Sequence, residues 1–269
     1  MKTKLKKVQY LLVLFMVISS CKNNEPQEPS LTPANTSAHS REGLARQLKA
    51  IEAVPLDPRV SFDRNPYDHV GALHNLGLES LVSYIRSKKD TTRIGKSRFL
   101  HEYFKREYSV ELQEGYDLAL ETKIFKDYRS VYRELSLSPA SLTFLDAISD
   151  QIEAIKTLDG FATFKEGIQV IEEKILLAKI PENEKSALLV TASVMRHSAY
   201  YWFNFVNSDE KMETMGLLRK IAGVITGIAA DGTSALYYMF TRADIFAVLD
   251  DAIGMSEICG FYTGGFSYW

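Results

Sequence analysis

The sequence predicts an all-α fold, a single bundle of about eight or nine helices. Two observations carry that prediction. Apolar residues recur at i, i+3, i+4 and i+7 through most of the chain. Strand signals are sparse, with few Val/Thr/Ile alternations and no Asn-Gly hairpin turn. Composition says what must hold the bundle together. Of 269 residues, 46% are hydrophobic and 11% aromatic, and only two are cysteines, so packing rather than cross-linking supplies the stability.

The chain divides into three parts. Residues 1–20, MKTKLKKVQYLLVLFMVISS, place Lys2, Lys4, Lys6 and Lys7 before an apolar run at 8–18 that is too short to span a bilayer comfortably, and end in small residues. That is the pattern of an export signal. Ile18-Ser19-Ser20-Cys21 resembles the lipobox of bacterial lipoproteins. The resemblance implies that the Cys21 thiol takes a diacylglycerol, becomes the new N-terminus and carries fatty-acyl chains such as palmitate. It places the protein in the bacterial cell envelope, with the outer membrane favoured, and makes the membrane its first partner. Residues 21–40 then form a disordered tether, rich in Pro, Asn, Ser and Thr, that reaches on the order of 25 Å from the bilayer. Residues 41–269 form the helical domain.

Charge narrows the partners. Four of the 32 Lys and Arg precede Cys21, so about 28 bases face 34 acids beyond it. A net charge of about −6 lacks the basic stripe that a nucleic-acid partner needs. Cys259 is then the only remaining thiol, and between Ile258 and Gly260 it reads as a small buried hydrophobe.

A first helix is expected over 41–54, with Leu44, Leu48 and Ile51 at i, i+4 and i+7, ended by Pro55 and Pro58. The second opens at Asn65-Pro66, an N-cap followed by a residue suited to the first turn, with Asp68 as a first-turn acid. It continues to about residue 87 and puts Tyr67, Val70, His74, Leu78, Leu81 and Ile85 on one stripe, with Asn75 beside His74. Gly71 and Gly77, costly inside a helix, imply another backbone passing close. The stretch NPYDHVGALHNLGLESL resembles an uncharacterised group of bacterial, often Bacteroidetes, envelope proteins with an NPYDxVGxxHNxxL pattern. The resemblance implies a location and no activity.

Further helices are expected over 92–108, 116–134, 139–155, 161–179 and 181–207, with Thr92, Ser138 and Asp159 at their starts and the last as the central helix. Residues 221–240, IAGVITGIAADGTSALYYMF, carry one charge, Asp231, and the spacing Gly223-x-x-x-Gly227. Two readings arise. Either a buried helix breaks at Asp231-Gly232, with Asp231 capping the following helix, or the run is a membrane-inserting element with a functional Asp. Asp244, Asp250 and Asp251 read as a solvated acidic face rather than a Ca²⁺ site, since no EF-hand spacing is present. The aromatic, glycine-rich tail at 260–269 must dock on the domain or bind a partner.

No motif implies a cofactor or a metal. His69 and His74 stand at i, i+5, about 140° apart on a helix, and cannot share one ion unaided. His74 reads as a core histidine bonded to a backbone group or a carboxylate, and Asp68 as a first-turn carboxylate rather than a general base. In Arg196-His197-Ser198 the His and Ser are adjacent on a helix and do not face each other. Asp68, His74, Asn75 and Asp231 are the polar residues singled out. The function expected is a non-enzymatic envelope lipoprotein that binds a protein, such as an envelope protein, or another envelope component. The alternatives are a membrane-active, pore-forming or antagonistic protein using 221–240, and a helical hydrolase or metal-dependent enzyme centred on His74 with Asp231 as its carboxylate.

Overall fold

The computed structural model describes residues 38–88, 92–112, 118–208 and 216–264, with side chains for all of these except 38–41, 88, 93, 118 and 257–264. Among the described residues there are nine helices and no strand. They are α1 (Ala38–Ile51), α2 (Asp68–Lys88), α3 (Arg93–Tyr108), α4 (Leu118–Glu134), α5 (Pro139–Glu153), α6 (Phe161–Leu177), α7 (Glu182–Ser208), α8 (Leu217–Arg242) and α9 (Ile245–Gly264). The all-α bundle expected from periodicity is what the chain forms.

Helix starts follow local chemistry where side chains supply it. Thr92 Oγ1 accepts from Gly95 N at the start of α3, and Ser138 caps α5 with Pro139 in the first turn. Asn65 Oδ1 accepts from Tyr67 N at 2.9 Å, closing the turn that leads into α2. Asp159 is different: the N-cap of α6 is Gly160, with no side-chain cap bond. The chain therefore enters α6 one residue later than an Asp159 cap requires.

α7 is the axis of the bundle and packs against α2, α5, α6 and α8. Twenty of its residues are buried, including Trp202 and Arg196, as the all-round apolar composition of its second half predicts. α2 runs in the same direction as α7: Ser193 lies by Asp68, and Arg86 lies over the Phe205 ring. α8 runs against α7, with Ser198 at Asp231 and Trp202 at Gly227. α9 folds back along α8 and also touches α2.

The expected break at Asp231-Gly232 does not occur. α8 is one helix through both residues, and Asp231 sits in its interior, fully buried, capping nothing. A glycine inside a helix costs roughly 1 kcal/mol relative to Ala. Here the Met195 side chain occupies the space that a Cβ on Gly232 would need, so packing outweighs propensity. The break comes at Ala243 (φ 51°), whose N–H bonds to Met239 O. Asp244 supplies the cap of α9, accepting from Phe246 N at 2.9 Å and Ala247 N at 3.2 Å.

The acidic group on α9 is not a solvated face. Asp244, Asp250 and Asp251 are all buried. Gln47 Nε2 donates to Asp244 and His101 Nε2 faces Asp250 at 3.2 Å. α9 packs against α8, α2, α3 and α1, and these three acids lie within those contacts. Cys21 and the tether to residue 37, the Cys259 side chain, and the aromatic tail beyond Gly264 lie outside the described residues, whereas 38–40, expected as tether, open α1.

Candidate functional site

Four residues singled out in the sequence, Asp68, His74, Asn75 and Asp231, meet along the seam where α2, α7, α8 and α9 touch. All four are buried. They belong to two polar clusters with opposite electrostatics, joined through Asn75.

The first cluster is built on Arg196. Its Nε donates to Glu172 Oε2 at 3.1 Å and its Nη2 to Glu172 Oε1 at 2.9 Å, a fork onto one carboxylate of α6. Nη2 also donates to Asp68 Oδ1 at 2.5 Å, and Nη1 to the Val60 carbonyl. Phe62 N donates to Asp68 Oδ2 at 2.9 Å, Ser193 Oγ donates to Oδ1 at 3.3 Å, and His197 Nε2 lies 3.3 Å from Oδ1. Asn65 Nδ2 reaches Glu172 Oε1 at 2.6 Å and the Leu189 carbonyl at 2.9 Å. The cluster thus pins the loop before α2 onto α6 and α7.

Burial penalises the Asp68 charge, but His197, Arg196 and the Phe62 amide outweigh it and hold the carboxyl at about 2. Burial pushes Glu172 above the ordinary carboxylate value despite Arg196 and Asn65. Burial opposes the Arg196 charge as well, yet Glu172 and Asp68 raise it further. Burial lowers His197, against the pull of Asp68.

The second cluster has no permanent cation. Asp231 Oδ2 accepts from Ser198 Oγ of α7 and from Ser256 Oγ of α9, the latter at 2.8 Å. Trp202 Nε1 donates to Ser256 at 3.2 Å. His74 Nε2 stands 3.5 Å from Asp231 Oδ2, and both side chains are 0% exposed. Asn75 Nδ2 donates to the His197 carbonyl at 2.7 Å, which turns its Oδ1 toward His74 Nδ1 at 3.2 Å. Nδ1 is therefore the protonated nitrogen of the neutral ring. Burial drives His74 down to about 4 and Asp231 well above the usual carboxylate range, the latter against hydrogen bonds from Ser198, Ser256 and Trp202. Burial thus works against charge on each group, raising the acid and lowering the base.

His74 is a core histidine, as its position on the apolar stripe predicts, and its neighbours are an amide and a carboxyl from across the seam. His69 turns elsewhere, to the Val54 carbonyl at 3.0 Å. His197 and Ser198 serve different carboxyls, as adjacent helical residues must. Ser198 donates to Asp231 and not to a histidine, so the adjacent His197 and Ser198 form no Ser–His pair. Among the described residues no three His, Cys, Asp or Glu side chains gather as a metal set.

Gly71 is a true close approach: a Cβ there would lie 2.7 Å from the Ser193 carbonyl and 2.5 Å from the His197 ring. Gly77 faces the Ile253 and Phe104 side chains instead of a backbone. Gly223 and Gly227 are buried, and Gly227 abuts the Trp202 ring. No described helix is long and apolar enough to cross a membrane. A cleft of about 350 Å³ opens between the later turns of α2 and α7, lined by Glu79, Arg86, Tyr200, Tyr201 and Asn204 among others. None of the four singled-out residues lines it.

Glu172, Ser193 and Ser256 are the members that sequence reasoning missed. Glu172 had a readable signal: it sits inside the Ile168, Ile171, Ile175 stripe of α6, where a lone carboxylate needs a buried cation. Neither serine had one. No family model, curated protein or solved structure matches the chain.

Proposed function

We propose that this chain is a lipid-anchored protein of the bacterial cell envelope whose helical domain binds another envelope component and turns over no substrate. One observation carries the reading: the lysine-rich start, short apolar run and Ile18-Ser19-Ser20-Cys21 that precede a polar tether. Two acyl chains on Cys21 hold the domain at the bilayer, at about 0.8 kcal/mol per buried methylene. The NPYDxVGxxHNxxL stretch accords with the same location. The burial of Asp68, His74, Asn75 and Asp231 supports a binding role over a catalytic one, since their polar atoms hold helices together and face no solvent.

Metabolic labelling with an alkyne analogue of palmitate tests the anchor. The full chain, expressed in a Gram-negative host, takes the label and fractionates with membranes, while Cys21→Ser does neither. Equal labelling of the two, or an unlabelled wild type, rejects the anchor.

A further inference from the structure

The seam between α8–α9 and α2–α7 contains two titratable groups with no ionic partner. His74 and Asp231 are both 0% exposed. The groups around them are neutral: the Ser198 and Ser256 hydroxyls and the Asn75 amide. Of the titratable neighbours, His197 of α7 is turned to Asp68, and Asp250 of α9 is turned to His101. Asp251 is buried on α9 just before Ala252, whose backbone lies by His74.

A dry site of this kind does not hold net charge. Adding a proton to the pair makes it cationic, and removing the last one makes it anionic. With one proton it is neutral, whether the proton sits on the carboxyl beside a neutral imidazole or on the imidazole beside a carboxylate. Among the described residues His74 Nε2 and Asp231 Oδ1 have no hydrogen-bond partner, and Nε2 lies 3.5 Å from the same carboxyl's Oδ2, so the pair has room for one proton and an acceptor for it.

We propose that His74 and Asp231 form a one-proton latch, keeping a single shared proton while α8 and α9 are seated on α2 and α7 and exchanging it with solvent when they part. The pH response follows from counting protons. In water, an exposed imidazole loses its proton near 6.5 and an exposed Asp near 3.8. Between those values the parted pair also holds one proton, so opening is independent of pH. Above 6.5 the parted pair holds none, and opening becomes about tenfold easier per pH unit. The latch is tight in mild acid and loosens toward alkali, opposite to the response of a lone buried histidine.

Native-state hydrogen exchange of α8 and α9 amides in the full chain, corrected for intrinsic rates, reads the opening constant. From pH 5.5 to 8.5 it should rise about 100-fold in wild type. In Asp231→Asn only the histidine titrates, and the trend should reverse, with opening falling about tenfold over the same range. In His74→Gln only the acid titrates, and opening should rise about tenfold per unit throughout, about 1,000-fold in all. Ratios between variants cancel the other titrating groups. A wild-type profile parallel to that of Asp231→Asn overturns the latch, because Asp231 then binds no extra proton in the closed state. Should Asp231→Asn fail to fold, His74→Gln decides alone: a profile flat below pH 6.5, like wild type, overturns the proposal.

Discussion

Two buried clusters lie within one helical seam and solve the same problem in opposite ways. Around Arg196, ions are kept: one guanidinium serves two carboxylates, and backbone groups and amides fill the remaining sites. Around Asp231, ions are avoided: the carboxyl's donors are neutral and burial drives its neighbouring imidazole down. The difference lies in what the sequence puts opposite each acid. Asp68 faces an arginine one helix away, whereas Asp231 faces serines and a histidine. A buried carboxylate survives as an ion where a cation and several donors converge, and otherwise takes a proton.

Substitutions can break this contrast, and the largest effect belongs to Arg196. Arg196→Met leaves Asp68 and Glu172 without their cation and should cost about 3–5 kcal/mol in denaturant unfolding. A loss under about 1 kcal/mol would mean that the guanidinium does not hold the cluster. Asp68 comes next. Its carboxyl is held at about 2 against an ordinary 3.8, so its folded value is depressed. The associated stability, about 2–3 kcal/mol, is present above pH 3.8 and lost as pH falls toward 2. Asp68→Asn should lack that portion of the acid transition, which unfolding midpoints of both proteins between pH 2 and 6 would reveal. The smallest effect is expected at Asp231. Asp231→Asn replaces a neutral acid by a neutral amide of the same shape, and near pH 6.5 its stability should match wild type within about 1 kcal/mol. A loss comparable to that of Asp68→Asn would erase the distinction between the clusters.

The helices were legible because their stripes are long and their starts carry local chemistry. Thr92 and Ser138-Pro139 act within four residues of themselves, and those assignments hold; Asn65 caps the turn before α2, which begins at Asp68 and not at Pro66. The misread positions depend on distant residues. Asp231-Gly232 looks like a break in isolation, but Met195, Ser198 and Ser256, from α7 and α9, make it helix interior. Asp250 and Asp251 look solvated until α9 is seen to be covered on several sides. Of the site, His74 and Asp68 were visible through stripe and cap positions. The pairing of Asp68 with Arg196 spans 128 residues, and no spacing rule encodes it. Gly71 was a fair signal, since the Ser193 carbonyl lies where its side chain would be.

Carbon-13 NMR of the full chain, labelled at the aspartate carboxyls and titrated from pH 4 to 8, tests the central contrast most directly. Asp231, identified by the signal missing in Asp231→Asn, should remain at the protonated position throughout, while Asp68 remains at the ionised position. An Asp231 signal that titrates with an ordinary carboxylate midpoint, or that is already ionised at pH 5 beside a neutral His74, contradicts the account.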